Sequence, residues 1–74
     1  MEQVNRIVLT NITEKSGLLS RKLLKEEALV FFYAGGKVVL RQSAVEEAGD
    51  SWVLTKRRIM EKARTHGVLC QQKV

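Results

Sequence analysis

The spacing of apolar and polar residues predicts a strand and then a helix in the first third of the chain. Residues 5–12 are rich in β-branched side chains that point alternately to two sides, which is typical of a strand. A polar break follows at residues 13–17. Leu19 and Leu23 then share one face of a helix, so we predict a helix over residues 18–27.

Two apolar runs separated by glycines predict a β-hairpin in the middle of the chain. The runs are residues 28–33 and 38–40, and Gly35 and Gly36 supply the positive φ angles that tight turns require. The alternative continues the preceding helix to the end of the first run and uses Gly35 as its C-terminal stop. We prefer the hairpin because aromatic and β-branched residues cluster here and the helical stripe disappears.

The last third of the chain predicts two helices and a final strand. Residues 43–46 have the Ser-x-x-Glu spacing of a capping box, the side-chain exchange that opens a helix. Residues 49–51 interrupt the pattern, and a second helix is predicted over residues 52–66, with Gly67 as its natural stop. Residues 68–70 are typical of a short strand.

In chain order these elements read β-α-β-β-α-β, which is the ferredoxin-like arrangement of an antiparallel sheet with both helices on one face. The predicted fold class is therefore α+β, in a single small domain over residues 1–74. If residues 68–70 are not a strand, a three-stranded antiparallel sheet remains, with two to three helices packed on one face.

The predicted hairpin also specifies which residues face each other and which strand is exposed. With residues 34–37 as the turn, Tyr33 faces Val38 and Phe31 faces Leu40. In the ferredoxin-like order the strand that ends at Tyr33 lies at an edge of the sheet. Because an apolar, β-prone edge is an aggregation hazard, we predict a homodimer that covers it.

The bulk composition is that of one small globular domain in a reducing compartment. A chain of 74 residues buries only about 60% of its unfolded surface and is marginal as a monomer. Cys70 is the sole cysteine, which excludes an intramolecular disulfide and a multi-cysteine metal site. Because the sequence shows no apolar run of membrane-spanning length and no signal-peptide pattern, we expect a cytoplasmic protein.

The net charge is confined to the last third of the chain. Residues 1–51 carry seven basic and seven acidic side chains, so they are neutral overall. Residues 52–74 carry six basic side chains and one acidic one, Glu61, which accounts for the whole formal charge of +5. A segregated charge produces a directed field, which attracts polyanions to one face of the molecule.

The helix predicted over residues 52–66 carries most of these cations. Its apolar stripe, which we expect to face the core, consists of Trp52, Ile59, Met60 and Ala63. Its candidate phosphate contacts are Arg57, Arg58, Lys62 and Arg64, with Lys56 and Thr55 at the margin. We therefore predict a regulatory nucleic-acid-binding domain, with DNA favoured over RNA. The alternatives are a solvated helix face and a docking surface for an acidic partner protein.

Two familiar nucleic-acid-binding modules fit the pattern less well. A helix-turn-helix over residues 43–66 would place Thr55 and Arg58 where the second helix buries apolar side chains. An RNA-binding sheet needs exposed aromatic residues on its central strands. The strands expected at the centre, residues 6–11 and 37–42, contain none, so we expect the aromatic residues in the core.

The remaining candidate residues indicate no catalysis. His66 has no second histidine and no matched acid, so we expect a helix-terminal residue and not a metal ligand. Cys70 lacks a base partner, so we expect it to be a small buried hydrophobic residue. Because the sequence shows no nucleophile–base pair, carboxylate pair or ligand cluster, we predict neither an enzyme nor a bound metal or cofactor.

Overall fold

The described part of the chain forms a four-stranded mixed sheet with two helices. The computed structural model describes residues 3–15 and 23–73, and the side chains of residues 3–13 and 25–73. In chain order the elements are β1 (Arg6–Lys15), β2 (Leu23–Tyr33), β3 (Gly36–Arg41), α1 (Gln42–Glu47), α2 (Trp52–Thr65) and β4 (Leu69–Lys73). The sheet order is β3-β2-β1-β4, in which β4 is parallel to β1 and the other neighbours are antiparallel. The predicted α+β class is confirmed.

The helix predicted over residues 18–27 is wrong for residues 23–27, which form the first part of β2. Residues 18–22 lie outside the described residues. β2 pairs antiparallel with β1 along the whole length of β1. This ladder provides hydrogen-bond partners for the backbone of the segment, and such tertiary pairing overrides a weak local preference for helix.

The sheet order differs from the ferredoxin-like order because β1 and β2 are direct antiparallel neighbours. A crossover helix between them would have left room for a third strand beside β1. As a result β2 is an inner strand, and the edges of the described sheet are β3 and β4. The apolar run is therefore paired on both sides from Leu29 to Phe32, and Tyr33 pairs with β3. The homodimer was predicted because β2 was expected at an exposed edge of the sheet, and that reason is wrong. The homodimer itself stays a prediction.

The β2–β3 hairpin is confirmed, but its register differs from the predicted one. Tyr33 pairs with Gly36 and Phe31 pairs with Val38, so only residues 34–35 form the turn. Neither Ala34 nor Gly35 has a positive φ, so of the two glycines predicted to supply such an angle only Gly36 does. Gly36 enters β3 with a φ of 152°, an angle that a residue with a Cβ rarely adopts.

The core lies between one face of the sheet and the two helices. Its buried members from the sheet are Ile7, Leu9 and Leu29, and those from the helices are Val45, Trp52 and Ala63. Ile59 and Met60 are half-buried and pack against this cluster. The apolar stripe predicted for α2 is therefore confirmed, and it fixes which side of the helix faces outward.

A carboxylate from β2 takes the role that the sequence predicted for a capping box at α1. Glu26 Oε1 accepts hydrogen bonds from the Ser43 backbone N–H at 3.1 Å and from its hydroxyl at 3.0 Å. Arg41, the residue before α1, donates to Glu26 Oε2 at 3.0 Å. The predicted Ser43–Glu46 exchange is wrong because the Ser43 hydroxyl donates to a neighbouring strand and does not cap its own helix.

Both ends of α2 are closed by local hydrogen bonds. The Ser51 hydroxyl accepts from the Leu54 N–H at 3.3 Å, which is a standard N-cap. At the other end Gly67 has a φ of 76°, and the Gly67 and Val68 N–H groups donate to Arg64 and Ala63. This is the Schellman pattern, so Gly67 is confirmed as the stop.

The final strand is confirmed and is longer than predicted. It covers Leu69–Lys73 and pairs parallel to β1, where residues 68–70 were predicted as a short strand.

None of the helices in the described part of the chain has the length and apolar character needed to cross a bilayer.

Candidate nucleic-acid interface

A carboxylate on β2 holds the first turns of α2 against the sheet. Glu27 Oε1 accepts a hydrogen bond from Trp52 Nε1 at 3.0 Å and an ion-paired one from Lys56 Nζ at 2.6 Å. Trp52 is only 4% exposed, so this bond satisfies a polar N–H that the core would otherwise leave without a partner. Trp52 therefore lies in the core, as predicted.

The Glu27 carboxylate is held in its ionised form by these partners. The hydrogen bond from Lys56 is the main cause that lowers the pKa of Glu27, and the bond from Trp52 adds to it. The pKa of Glu26 is lowered as well, chiefly by the Ser43 backbone N–H. Both acidic side chains at this end of β2 are thus neutralised or hydrogen-bonded inside the molecule.

Four of the predicted phosphate contacts lie on the outward side of α2. Arg57, Arg58, Lys62 and Arg64 are exposed. Within residues 3–13 and 25–73, none of these four side chains forms an ion pair or a hydrogen bond with another side chain. Because α2 packs through its opposite side, these cations are free to contact a ligand from solvent.

The four cations lie on two flanks of α2 and do not form a single row. Arg57 and Arg64 are seven residues apart, so they share a flank and stand about 10 Å apart along the helix axis. Arg58 and Lys62 are four residues apart and share the other flank, about 6 Å apart along the axis. The sequence predicted one basic face, and the helical geometry divides it into two pairs.

The ridge between the two flanks is not basic. Its outermost positions by helical spacing are Leu54, Glu61 and Thr65, all of which are exposed. Leu54 is 49% exposed, and Val53 beside it is 53% exposed. The outward side of α2 therefore has an apolar beginning, one acidic residue and cations on both sides.

The two residues predicted at the margin of contact are turned toward the body of the molecule. Lys56 is committed to Glu27, and 24% of its side chain is exposed. Thr55 is half-buried. The structure thus brings Arg57, Arg58, Lys62 and Arg64 together on the outside and separates Lys56 and Thr55 from them.

The face of the sheet opposite the helices carries residues that the sequence analysis missed. Arg6 lies over the ring of Phe32, with its guanidinium carbon 4.3 Å from the ring centroid. Phe32 belongs to β2, an inner strand, so the premise that the central strands lack aromatic residues is wrong. Because Arg6 covers one side of the half-buried ring, Phe32 does not present an open platform for a base. The alternation of side chains along β1 places Arg6 on this face, and this alternation could have been read from the sequence.

The other singled-out residues lie at the C-terminal end of α2 and on β4. His66 is exposed and follows the last helical residue. Cys70 is half-buried and packs against the core. In the part of the chain that the structure describes, no three side chains of His, Cys, Asp or Glu are grouped as a metal site would require.

Comparison of the chain with protein-family models, curated proteins and solved structures found no match.

Proposed function

We propose that this protein binds duplex DNA through the outward side of α2. The observation that supports the proposal is the set of four exposed cations without a carboxylate partner among the described residues: Arg57, Arg58, Lys62 and Arg64. Arginine and lysine side chains in such a state bind phosphate oxygens, and the counterions that they displace from DNA favour association.

The distribution of the cations on two flanks suits the major groove of B-form DNA. An α-helix with side chains is about 10–12 Å wide, and the major groove is about 12 Å wide. With α2 in the groove, the Arg57 flank and the Arg58 flank would each approach the phosphates of one wall. The major groove of A-form RNA is too narrow for this approach, which favours DNA.

The proposed contacts position the protein on DNA and carry little sequence information. Phosphate contacts give affinity and register, whereas sequence is read at the base edges. We therefore propose a regulatory protein with weak sequence preference, in the cytoplasm. The predicted homodimer would double the number of phosphate contacts, and sedimentation at high micromolar concentration tests it.

The deciding experiment measures fluorescence anisotropy of a labelled random 20-base-pair duplex at two salt concentrations. If about four phosphates are neutralised, the affinity falls roughly 100-fold between about 50 and about 200 mM salt. Replacing Arg57, Arg58 and Arg64 by Gln removes three contacts. The salt dependence of the affinity is then expected to fall to that of about one phosphate contact. Parallel titrations with RNA and heparin separate DNA affinity from generic polyanion affinity.

The matched control variant removes three cations from the sheet. Lys25→Gln, Lys37→Gln and Lys73→Gln change exposed residues and lower the net charge by the same amount. The proposal expects this variant to retain most of the affinity and the salt dependence. Undetectable binding at low salt, or equal losses in both triple variants, contradicts an interface on α2.

An acidic partner protein is the second candidate function. The observation that favours it is the exposure of Val53 and Leu54 next to the cations, because protein interfaces combine an apolar centre with charged surroundings. This function predicts saturable binding to one protein and indifference to nucleic acid. Replacing Leu54 by Gln would then reduce binding strongly, whereas DNA binding through phosphates would change little.

A further inference from the structure

A groove of about 420 Å³ lies between α2 and the sheet, on the flank of the helix that carries Lys62. Its apolar surface comes from two elements: Ile7 and Phe31 belong to the sheet, and Ile59 belongs to α2. Val4, which precedes β1, lines it as well. The volume is within the range of small-molecule sites, about 300–1,000 Å³.

Lys62 is the charged side chain among the described residues that line the groove, and its positive charge favours an anionic ligand. Lys62 and His66, one helical turn apart, both line it, and both are exposed. Among the residues that the structure describes, no aspartate or glutamate lines it. Lys62 has no carboxylate partner among the described residues, so its charge is available to a ligand.

The end of α2 near the groove does not repel an anion strongly. The carbonyls of a helix C-terminus carry partial negative charge, which opposes a nearby carboxylate. Here the carbonyls of Lys62, Ala63 and Arg64 already accept hydrogen bonds from residues 66–68. These bonds reduce the partial charge that is left facing the groove.

We propose that this groove binds an apolar monocarboxylate, with the carboxylate at Lys62 and the hydrocarbon body against Ile7, Phe31 and Ile59. This binding site is additional to the proposed DNA interface, and the experiment that tests it uses no nucleic acid. The affinity comes mainly from the removal of the hydrocarbon body from water. The ion pair at the exposed Lys62 contributes orientation and selectivity more than affinity.

The test titrates the protein with decanoate and follows amide shifts by NMR and heat by calorimetry. A ligand of about 12 heavy atoms supports a dissociation constant between about 50 µM and about 1 mM. The largest shifts are expected at Ile7, Phe31, Ile59 and Lys62. Decyltrimethylammonium, which has the same chain and the opposite charge, is expected to bind much more weakly.

Two variants and one control locate the site. Val4→Phe fills the groove and is expected to weaken decanoate binding at least tenfold, and Lys62→Gln is expected to weaken it about three- to fivefold. Arg57→Gln removes the same charge from the other flank of α2 and leaves decanoate binding unchanged. The proposal is overturned if decanoate and decyltrimethylammonium bind equally well. It is also overturned if neither Val4→Phe nor Lys62→Gln weakens the binding of decanoate. Displacement of decanoate by a second copy of the chain, seen as concentration-dependent weakening, overturns it as well.

Discussion

Two groups of charged residues in this protein differ in whether they have bonding partners within the molecule. Glu26 and Glu27 on β2 are both partly buried: Glu26 accepts hydrogen bonds from Arg41 and Ser43, and Glu27 accepts two from α2. The cations on the outward side of α2 have no such partners among the described residues. Lys56 and Arg57 make the contrast sharpest: they are adjacent in sequence, yet Lys56 is paired with Glu27 and Arg57 is exposed.

Glu26 and Glu27 therefore contribute to the stability of the fold, whereas the cations on the outward side of α2 do not. Glu26 joins β2 to the start of α1, and Glu27 joins it to the start of α2. Changes at these residues should therefore alter stability. Changes at Arg57, Arg58 or Arg64 should leave stability nearly unchanged, because exposed substitutions usually have effects within about 0.5 kcal/mol.

The largest expected effect is the loss of stability when Glu27 is replaced by Gln. The substitution keeps an acceptor but removes the charge that Lys56 and Trp52 contact. Hydrogen bonds to charged groups contribute about 1.5–3 kcal/mol, so the free energy of unfolding should fall by about 2 kcal/mol. Urea denaturation measures it. Glu61→Gln on the exposed ridge is the matched control, and equal losses in the two variants would remove the distinction between the two groups.

The next effect is a fall of stability in acid. Because the pKa values of Glu26 and Glu27 are lowered by folding, the unfolded chain takes up protons first as the pH falls. The stabilisation is complete above the unfolded pKa of about 4.3 and is lost as the pH falls through the lower folded values. Urea denaturation between about pH 5 and about pH 3 should show a declining free energy of unfolding. The decline should be smaller in Glu27→Gln, and identical slopes would contradict the assignment.

A smaller effect is expected on DNA binding when Glu61 is replaced by Gln. Glu61 lies on the ridge between the two flanks of cations, where its carboxylate repels phosphates. Removing it should raise the affinity for duplex DNA about threefold at low salt, and less as salt screens the repulsion. Anisotropy measures the change. Glu47 on α1 is exposed as well, and replacing it by Gln should raise the affinity less.

The smallest expected effect couples the groove to the DNA interface through Lys62. A carboxylate bound at Lys62 neutralises one of four proposed phosphate contacts, so saturating decanoate should weaken DNA binding about two- to threefold at low salt. The effect should vanish in Lys62→Gln and persist in Arg57→Gln. Persistence in Lys62→Gln would mean that decanoate acts on DNA binding from another place.

The sequence predicted the local features of α2 well and the first half of β2 badly. The apolar stripe, the outward cations and the stop at Gly67 depend on helical spacing and on one glycine, so they can be read without knowledge of the rest of the molecule. Leu19, Leu23 and Leu24 have the spacing of a helix face, but the strand conformation of residues 23–27 depends on pairing with β1. The inner position of Phe32 was missed for the same reason, because sheet order depends on which strands pair.

The partners of the charged residues could not be predicted either. Ser43 and Glu46 have the spacing of a capping box, but Glu26 is nearer to Ser43 in the folded chain and receives its hydrogen bonds. The sequence places Lys56 at the margin of the predicted contacts, but no local pattern predicts its ion pair with Glu27, in which Nζ and Oε1 are 2.6 Å apart. Contacts between residues that are 17 and 29 positions apart leave no local pattern.

The sequence by itself determined the α+β class, the amphipathic helix that it predicts over residues 52–66 and the concentration of positive charge in the last third of the chain. These features follow from spacing and composition, which act over a few residues at a time. Only the tertiary structure decided the order of the strands, the pairing of Lys56 with Glu27 and the groove beside Lys62. The strand order depends on which strands pair, and the other two features depend on the packing of α2 against the sheet. Both kinds of contact bring together residues that are distant in the chain.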